Sequence, residues 1–322
     1  MARMRFSIVI TCYNQREFIR AAVDSALAQR PLVKEIVVVD DGSSDGSWGL
    51  LEQYGDSIQL IKFPKNRGAI EARNHGAGRA TGDYLVFLDG DDVFMPWALH
   101  VYERIIAERT PKIIFAPHTW FQGAIPPVRD EEMPLKIEFV EYKTLLSKDR
   151  PIGQSASTFV IERQAFRDAG GWSPGIFHLD CQDLCTKVGI SGRTILICSP
   201  PTAFYRIHAA NSIHEVQPFL KMVHRLVGKE RAGQYPGGRE HRFQRRAWMG
   251  GLGFFWIKRA LRRGLYKEAL KLTACGWSMV LAAVVRRCAI CLTGRSPVQT
   301  IELMNKEEYA HAFAGGEHHS EA

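Results

Sequence analysis

The stretch that decides the fold is YLVFLDGDD at residues 84–92, in which five apolar residues precede three carboxylates within four positions. A short apolar run bounded by turn-forming residues predicts a buried strand. In an open parallel sheet, ligands bind beyond the carboxyl ends of the strands. The stretch therefore predicts a strand that ends in acidic side chains at the edge where a ligand binds.

Short β-branched runs on both sides of this stretch alternate with helical patterns, which predicts a βαβ array and an α/β fold with a mostly parallel sheet flanked by helices. The predicted strands are Phe6–Cys12, Glu35–Asp40, Ile58–Phe63, Tyr84–Leu88, Lys112–Ala116, Thr158–Ile161, Thr194–Cys198 and Ala203–Ile207. Between the first two, Asn14 and Glu17 have capping-box spacing at the start of a helix. The Pro-rich residues 118–150 are expected to form a loop-like insertion, and the chain beyond Val216 is expected to be helical.

Two more predicted strands end in polar residues, one at Thr11 to Asn14 and the other at Asp40 to Asp45. Each segment alone could be a surface turn, because Asp, Gly and Ser are common in turns. Three such segments at one sheet edge instead indicate a binding site. Clustered carboxylates repel one another unless a cation joins them, and oxygen ligands suit Mg²⁺ or Mn²⁺ with phosphates completing the shell. Arg73 could reach such a phosphate, or it could be a structural ion-pair partner.

Two common nucleotide-binding motifs are missing from the sequence. No GxGxxG follows the first predicted strand, and the chain has no P-loop. A nucleotide would therefore be held by side chains and a metal ion rather than by a glycine-rich cradle.

Five segments together resemble inverting family 2 glycosyltransferases of the GT-A fold: residues 7–29, 35–47, 66–92, 160–172 and 205–208. The resemblance implies a glycosyltransferase domain at residues 1–215, with a nucleotide-sugar half (1–117) and an acceptor half (118–215), followed by a basic helical region at 216–322 with a disordered end. It implies metal-dependent transfer of a hexose, with inversion, from a nucleotide diphospho-sugar to a glycan or lipid-linked acceptor. Cell-surface polysaccharide or glycolipid synthesis is the expected setting.

The resemblance also assigns residues to the site. Nucleotide-sugar binding falls to Thr11, Tyr13, Asp40, Asp41, Arg73, Asp89 and Arg206. Asp91 would be the principal ligand of Mn²⁺ or Mg²⁺, with Asp89, Asp92 and His208 supporting it. Arg206 and His208 would face the leaving diphosphate, although His208 could also be a strand-end histidine bonded to the backbone.

The sequence departs from the family at the catalytic base. The family carries an acidic pair here whose Asp is the base, but residues 178–184 read HLDCQDL and align Cys181 with that Asp. A neutral thiol is a poor base at neutral pH, so Asp180 is expected to take the role, with Asp183 as the alternative on the same helix face. Asp180 could instead be the N-cap of this helix.

Two other functions stay open from the sequence. A sugar-phosphate nucleotidyltransferase also uses an α/β sheet and Mg²⁺, but it would need a Gly-rich basic loop after the first strand. A non-catalytic glycosyltransferase-like subunit is compatible with Cys181 at the base position.

The basic charge of the chain is concentrated at its C-terminal end. Residues 216–322 hold 18 Lys and Arg against 8 Asp and Glu, whereas residues 1–215 hold 24 against 26. Because aromatic residues such as Phe254, Phe255 and Trp277 lie among these charges, an anionic membrane surface is the expected partner rather than nucleic acid. The alternative is a helical hairpin packed on the enzyme.

A cytoplasmic protein, peripheral on the inner face of the cell membrane, is expected. Arg286 and Arg287 leave an uncharged run too short to cross a bilayer core. The N-terminal apolar run is too short for a signal peptide, and seven scattered Cys residues fit a reducing compartment.

Overall fold

A computed structural model describes residues 4–30, 32–129, 133–150, 155–190, 192–208 and 216–303. The N-terminal part alternates strands and helices in the order β1 (Phe6–Cys12), α1 (Ile19–Leu27), β2 (Val33–Asp40), α2 (Ser47–Glu52), β3 (Gln59–Lys62), α3 (Ala69–Arg79) and β4 (Tyr84–Asp89). The chain continues through β5 (Val93–Phe94), α4 (Ala98–Arg109), β6 (Ile113–Phe115), β7 (His118–Phe121), β8 (Lys136–Tyr142), β9 (Phe159–Glu162), α5 (Arg163–Asp168), α6 (Asp180–Val188), β10 (Thr194–Ser199) and β11 (Ala203–Arg206). It ends in α7 (Gln217–Arg231), α8 (Arg242–Arg262), α9 (Tyr266–Thr293) and β12 (Gln299–Glu302).

The strands form a nine-stranded sheet in the order β12-β8-β10-β6-β9-β4-β1-β2-β3 and a three-stranded sheet in the order β5-β11-β7. In the large sheet, β8 and β9 pair antiparallel with their neighbours, and the other strands share one direction. The predicted α/β class with a mostly parallel sheet is therefore confirmed.

Helices pack on both faces of the large sheet. All seven residues of β1 are buried, and α1 covers one face with Ile19, Ala22, Val23 and Ala26. Helix α3 lies so close to β1 that a Cβ atom on Gly76 would come 2.5 Å from Val9 Cγ1. Burial on both faces explains why these strands are continuous apolar runs.

Two expectations for local structure are wrong. Residues 118–150 contain β7 and β8, because Ile137, Phe139 and Tyr142 are buried and β8 pairs with both β10 and β12. The capping box does not form either: α1 begins at Ile19 without a side-chain cap, and Asn14 bonds to a neighbouring loop instead.

The C-terminal region is helical, as expected, except for β12. Helices α8 and α9 form a hairpin with a turn at Gly264, and Gly250 of α8 lies directly against the backbone of Met279. Judged only by length and composition, helix α9 is long and apolar enough to cross a membrane, which differs from the expectation that Arg286 and Arg287 leave too short a run. Because β12 joins the edge of the large sheet, residues 299–302 belong to the same sheet as the N-terminal strands. The predicted disordered end lies largely at residues 304–322, outside the described residues.

Candidate active site

The carboxyl ends of β4, β1 and β2 meet at one edge of the large sheet. Thr11 is paired with Asp89 across β1 and β4, and Cys12 is paired with Asp40 across β1 and β2. The three polar strand ends therefore lie together, as the sequence predicts.

The loops that follow β1 and β2 are bonded to each other. The Asn14 amide donates to Ser43 Oγ at 3.0 Å, and Asn14 Oδ1 accepts from the Ser44 amide at 2.9 Å. Asn14 has a φ of 51°, which turns the chain so that these bonds can form. The Tyr13 side chain, 47% exposed, follows Thr11 on this rim.

The two adjacent aspartates after β2 have different environments. Both Asp41 oxygens accept bonds from the amides of Arg67 and Gly68, at 2.6 and 2.8 Å, so Asp41 holds the start of α3. Asp40 is fully buried, and its Oδ2 has no hydrogen-bond partner among the described residues. Buried polar atoms normally have partners, so Asp40 Oδ2 is an unsatisfied acceptor, whereas both Asp41 oxygens are engaged by the protein.

Gly42 lies where this loop meets the segment before α3. A Cβ atom there would come 2.6 Å from the carbonyl carbon of Lys65, and the φ of Gly42 is +74°. Only glycine allows both the left-handed conformation and the close approach of the two loops.

Arg73 connects two predicted site residues. Its Nη2 donates to Asp89 Oδ1 at 2.6 Å and its Nη1 donates to Asp180 Oδ2 at 2.5 Å. Burial opposes the charge of Arg73, but the charges of Asp89 and Asp180 raise the pKa of the guanidinium above its usual value. Of the two alternatives for Arg73, these contacts support the structural ion pair.

Asp91 lies beside His208, with 2.9 Å between Oδ2 and Nε2. Burial, followed by the charge of Asp89, raises the pKa of Asp91. A carboxylate that is desolvated and close to a second carboxylate gains from a cation. Asp91, Asp89 and His208 are thus brought together as predicted.

Asp92 belongs to the framework of the site. It is 1% exposed, Ser157 Oγ donates to its Oδ2 at 2.5 Å, and the Arg206 amide donates to its Oδ1 at 3.0 Å. Burial and the neighbouring Asp91 and Asp89 raise its pKa well above the usual value. With both oxygens engaged by the protein, Asp92 does not fit the expected supporting role toward a metal.

Arg206 is 6% exposed and is also held by the protein. Its Nε donates to the Asp91 carbonyl at 2.9 Å, its Nη1 donates to the Gly123 carbonyl at 2.7 Å, and its guanidinium lies over the rings of Phe18 and Phe121. These contacts position the Asp91 backbone. A contact of Arg206 with a diphosphate stays a prediction.

The loop before α6 places Asp180 at the site. Asp180 is the first residue of α6 and bonds to Arg73, so the alternative of an N-cap is wrong. Burial, followed by the charge of Asp180, raises the pKa of the Cys181 thiol well above its usual value. The thiol is therefore neutral at pH 7, which leaves Asp180 as the carboxylate at this position.

Asp183 is not at the site. It is fully buried, and it accepts bonds from Ser173 Oγ at 2.5 Å, Lys229 Nζ at 2.5 Å and Tyr235 OH at 2.7 Å. These partners hold α6 against the residues around α7, and this geometry does not support Asp183 as a base.

Sequence reasoning missed Ser157, which links β4 to the acidic cluster. Its Oγ accepts from the Asp89 amide at 3.1 Å while it donates to Asp92. The sequence feature that could have identified Ser157 is the pair of hydroxyl-bearing residues, Ser157 and Thr158, directly before an apolar strand.

The possible ligands for a divalent cation in this site are few. Within the described ranges, no group of three or more His, Cys, Asp or Glu side chains is spaced to hold a metal ion. Mg²⁺ and its analogues are commonly bound through one or two carboxylates plus substrate phosphates. Asp91, which is largely buried, and Asp89, whose side chain is 28% exposed, are two carboxylates at the strand edge that fit such a site.

Comparison with known sequences places these motifs in a family. Residues 7–168, half of the chain, match the profile of the family described as Glycosyl transferase family 2. The chain is 35% identical over 116 residues to the Escherichia coli UDP-Glc:alpha-D-GlcNAc-diphosphoundecaprenol beta-1,3-glucosyltransferase WfaP, covering 36% of this chain and 45% of that protein. Matches to the first curated relatives span about a third to three fifths of their length.

Two solved structures share the fold. S. aureus TarS in complex with UDP-GlcNAc superposes with a TM-score of 0.67 at 16% identity, covering 87% of this chain and 81% of that one. The mannosyltransferase PcManGT from Pyrobaculum calidifontis in complex with GDP-Man and Mn²⁺ gives 0.51 at 17% identity, covering 89% and 88%. The likeness extends over most of both chains.

Proposed function

Because the chain belongs to glycosyl transferase family 2, we propose that it moves a hexose from a nucleotide diphospho-sugar to an acceptor hydroxyl, with inversion at the anomeric carbon. The observation that carries the proposal is the meeting of Asp40, Asp89 and Asp91 at the carboxyl edge of β1, β2 and β4. This edge is where an open parallel sheet binds its ligand.

The nucleotide would lie on the rim formed by the loops after β1 and β2. Tyr13 lies exposed on this rim and Thr11 and Asp40 are buried beneath it, where the unpartnered Oδ2 of Asp40 would accept a bond from a base or ribose that reached it. Asp41 would act by holding the start of α3 in place. Relatives of the same fold solved with UDP-GlcNAc and GDP-Man support a nucleotide sugar as the ligand.

A divalent cation, Mn²⁺ or Mg²⁺, would be held by Asp91 and Asp89, with His208 beside them. When bound, it would neutralise the charge that develops on the leaving diphosphate. Asp92, Ser157 and Arg206 keep the backbone of this segment in place. The PcManGT structure with Mn²⁺ supports the choice of metal.

Asp180 would remove the proton from the acceptor hydroxyl. Its carboxylate is tied through Arg73 to Asp89, which fixes the base relative to the metal-binding side of the cleft. A general base must lie within hydrogen-bond reach of the proton that it takes, and the rigid guanidinium provides such positioning.

The acceptor would be a glycan, free or lipid-linked, in cell-surface polysaccharide or glycolipid synthesis. The support is the similarity to WfaP, whose name gives a diphosphoundecaprenol-linked sugar as its acceptor. A lipid-linked acceptor would require the enzyme to work at a membrane.

The α8–α9 hairpin would hold the protein on the inner face of the cell membrane. Trp277, Leu281 and Val284 lie along one face of α9 and are 49 to 60% exposed. The opposite side of α9 packs on α8, and Arg286 bonds to the Lys148 carbonyl of the enzyme. A helix held in this way lies along a surface, with exposed Lys and Arg side chains of the hairpin toward anionic head groups.

The test is a screen of nucleotide sugars against the purified full chain. Release of a nucleoside diphosphate is measured with Mn²⁺ and with EDTA, and Asp91→Ala is the matched control. We expect one donor class to be hydrolysed with Mn²⁺, and the activity to be lost with EDTA and in the variant. Absence of both donor binding and turnover in the wild type would support a non-catalytic subunit instead.

A further inference from the structure

Three aromatic side chains lie on one face of the small sheet. His118 and Trp120 are two residues apart on β7, and Tyr205 of β11 is in register with Trp120. Alternate residues of a strand point to the same face, and residues in register point the same way. Phe121, Phe204 and Arg206 occupy the other face, where Phe121 and Phe204 join the main core.

The three rings contact one another closely. The Trp120 centroid lies 4.7 Å from that of His118 and 4.7 Å from that of Tyr205, and the latter two are 5.2 Å apart. Trp120 is nevertheless 52% exposed, which is unusual for a residue that normally buries most of its surface. Burial lowers the pKa of His118, so its ring is neutral at pH 7, and it meets the Trp120 ring edge to face at an interplanar angle of 74°.

This aromatic cluster, defined as His118, Trp120 and Tyr205, adjoins the acidic site. Tyr205 directly precedes Arg206, whose amide bonds to Asp92 and whose Nε bonds to the Asp91 carbonyl. Burial and then the charges of Asp92, Asp89 and Asp91 raise the pKa of Tyr205, as expected for a phenol near all three. The cluster thus lies next to the segment that carries Asp91 and Asp92.

We propose that Trp120, supported by His118 and Tyr205, is a stacking platform for a pyranose ring of the acceptor glycan. The inference rests on the proposed glycosyl transfer and names a binding subsite for its acceptor. The face of an aromatic ring carries negative charge density and attracts the weakly positive C–H groups on the apolar face of a pyranose. The indole holds the sugar with little conformational entropy cost because it is already fixed by two neighbouring rings.

The location favours the acceptor over the donor as the occupant. The donor nucleotide belongs on the rim after β1 and β2, whereas β7 and β11 belong to a separate sheet, in which β11 also pairs with β5 directly after Asp92. A sugar stacked on Trp120 would therefore lie beside the acidic cluster but on a different sheet from the strands whose loops are proposed to hold the nucleotide. A protein partner that covers Trp120 is the alternative outcome of the test.

The test uses simple methyl glycosides of glucose, galactose, mannose and N-acetylglucosamine as probes. Binding to the full chain is followed by ligand-observed saturation-transfer NMR with wild type, Trp120→Ala and Trp120→Phe. Phe243→Ala is the matched control, because Phe243 is similarly exposed on α8. We expect Trp120→Ala to weaken binding of at least one glycoside by about tenfold, and Trp120→Phe and Phe243→Ala to retain it.

Calorimetric binding of UDP and GDP with Mn²⁺, together with thermal unfolding, shows whether each variant remains folded with an intact donor side. Wild-type glycoside binding in a folded Trp120→Ala variant overturns the proposal. So does a wild type that binds none of the glycosides at millimolar concentration, which would leave a protein partner as the occupant. If glycoside binding depends on Trp120 but no donor is ever hydrolysed, the sugar platform stands and the proposed transfer fails.

Discussion

Arg73 and Asp180 form a buried ion pair, with 2.5 Å between Nη1 and Oδ2, that connects α3 in the first half of the chain to α6 in the second. The same guanidinium binds Asp89 at the end of β4. The carboxylate proposed as the base and a carboxylate proposed to bind the metal are thus held by one side chain. Breaking such a buried pair on one side leaves an uncompensated charge, so its geometry is strongly enforced.

Asp180→Asn tests the base. We expect turnover to fall at least about 100-fold, because proton transfer by a positioned carboxylate contributes that much or more. Donor affinity should change much less than turnover, because Arg73 keeps its bond to Asp89. Cys181→Ser is the neighbouring control and should keep its activity, since the thiol is neutral. Loss of turnover in Cys181→Ser with full activity in Asp180→Asn would contradict the assignment.

Asp91 and Asp92 are adjacent but should respond differently to substitution. Asp91→Ala should lower Mn²⁺-dependent turnover by about 100-fold, or ~3 kcal/mol of transition-state stabilisation, with unchanged thermal stability. Asp92→Ala should lower the free energy of unfolding by about 2 to 4 kcal/mol, because two buried hydrogen bonds are lost. Kinetics and denaturant unfolding of both variants provide the measurement. A stable, inactive Asp92→Ala and an unfolded Asp91→Ala would reverse the two roles.

The double change Trp277→Glu and Leu281→Glu tests the membrane face of α9. Binding to vesicles that contain anionic lipids should fall more than about tenfold, because two apolar side chains lose their burial in the interface. Leu135→Glu is the control, because Leu135 is similarly exposed but lies outside the α8–α9 hairpin. Cosedimentation at low and high salt measures the effect. If the wild type does not bind these vesicles at low salt, the membrane proposal fails and the hairpin serves only to pack on the rest of the protein.

Lys148 should make stability depend on pH. Burial and the nearby charge of Arg286 lower its pKa from 10.5 to about 8. Between pH 8 and 10.5 the unfolded chain therefore binds more protons at Lys148 than the folded chain does. The free energy of unfolding consequently rises with pH through that window. This contribution of Lys148 is lost as the pH falls through about 8. Lys148→Met should stabilise the protein at pH 7 by about 1 to 2 kcal/mol and flatten this part of the profile. Urea unfolding at several pH values provides the test, and an unchanged slope would contradict it.

The sequence by itself determined the fold class and the edge of the sheet where the site lies. Runs such as 84–92 combine a buried strand with polar residues directly after it, and both features are local. Once these strands pair in parallel, their carboxyl ends lie at the same edge of the sheet, and no longer-range feature of the sequence is needed to predict this. For this reason the positions of Thr11, Asp40 and Asp89 were predictable from the chain alone.

The tertiary structure decided which of several similar side chains can act on a ligand. Asp40 differs from Asp41, and Asp91 from Asp92, only through hydrogen-bond partners that are distant in sequence, such as Arg206, which lies 114 residues from Asp92. The partners of Asp183 likewise come from residues around α7, and β8 became a strand because β10 and β12 lie beside it. Periodicity and spacing report local geometry, whereas burial and ion pairing depend on which segments meet, and that is fixed only when the chain is folded.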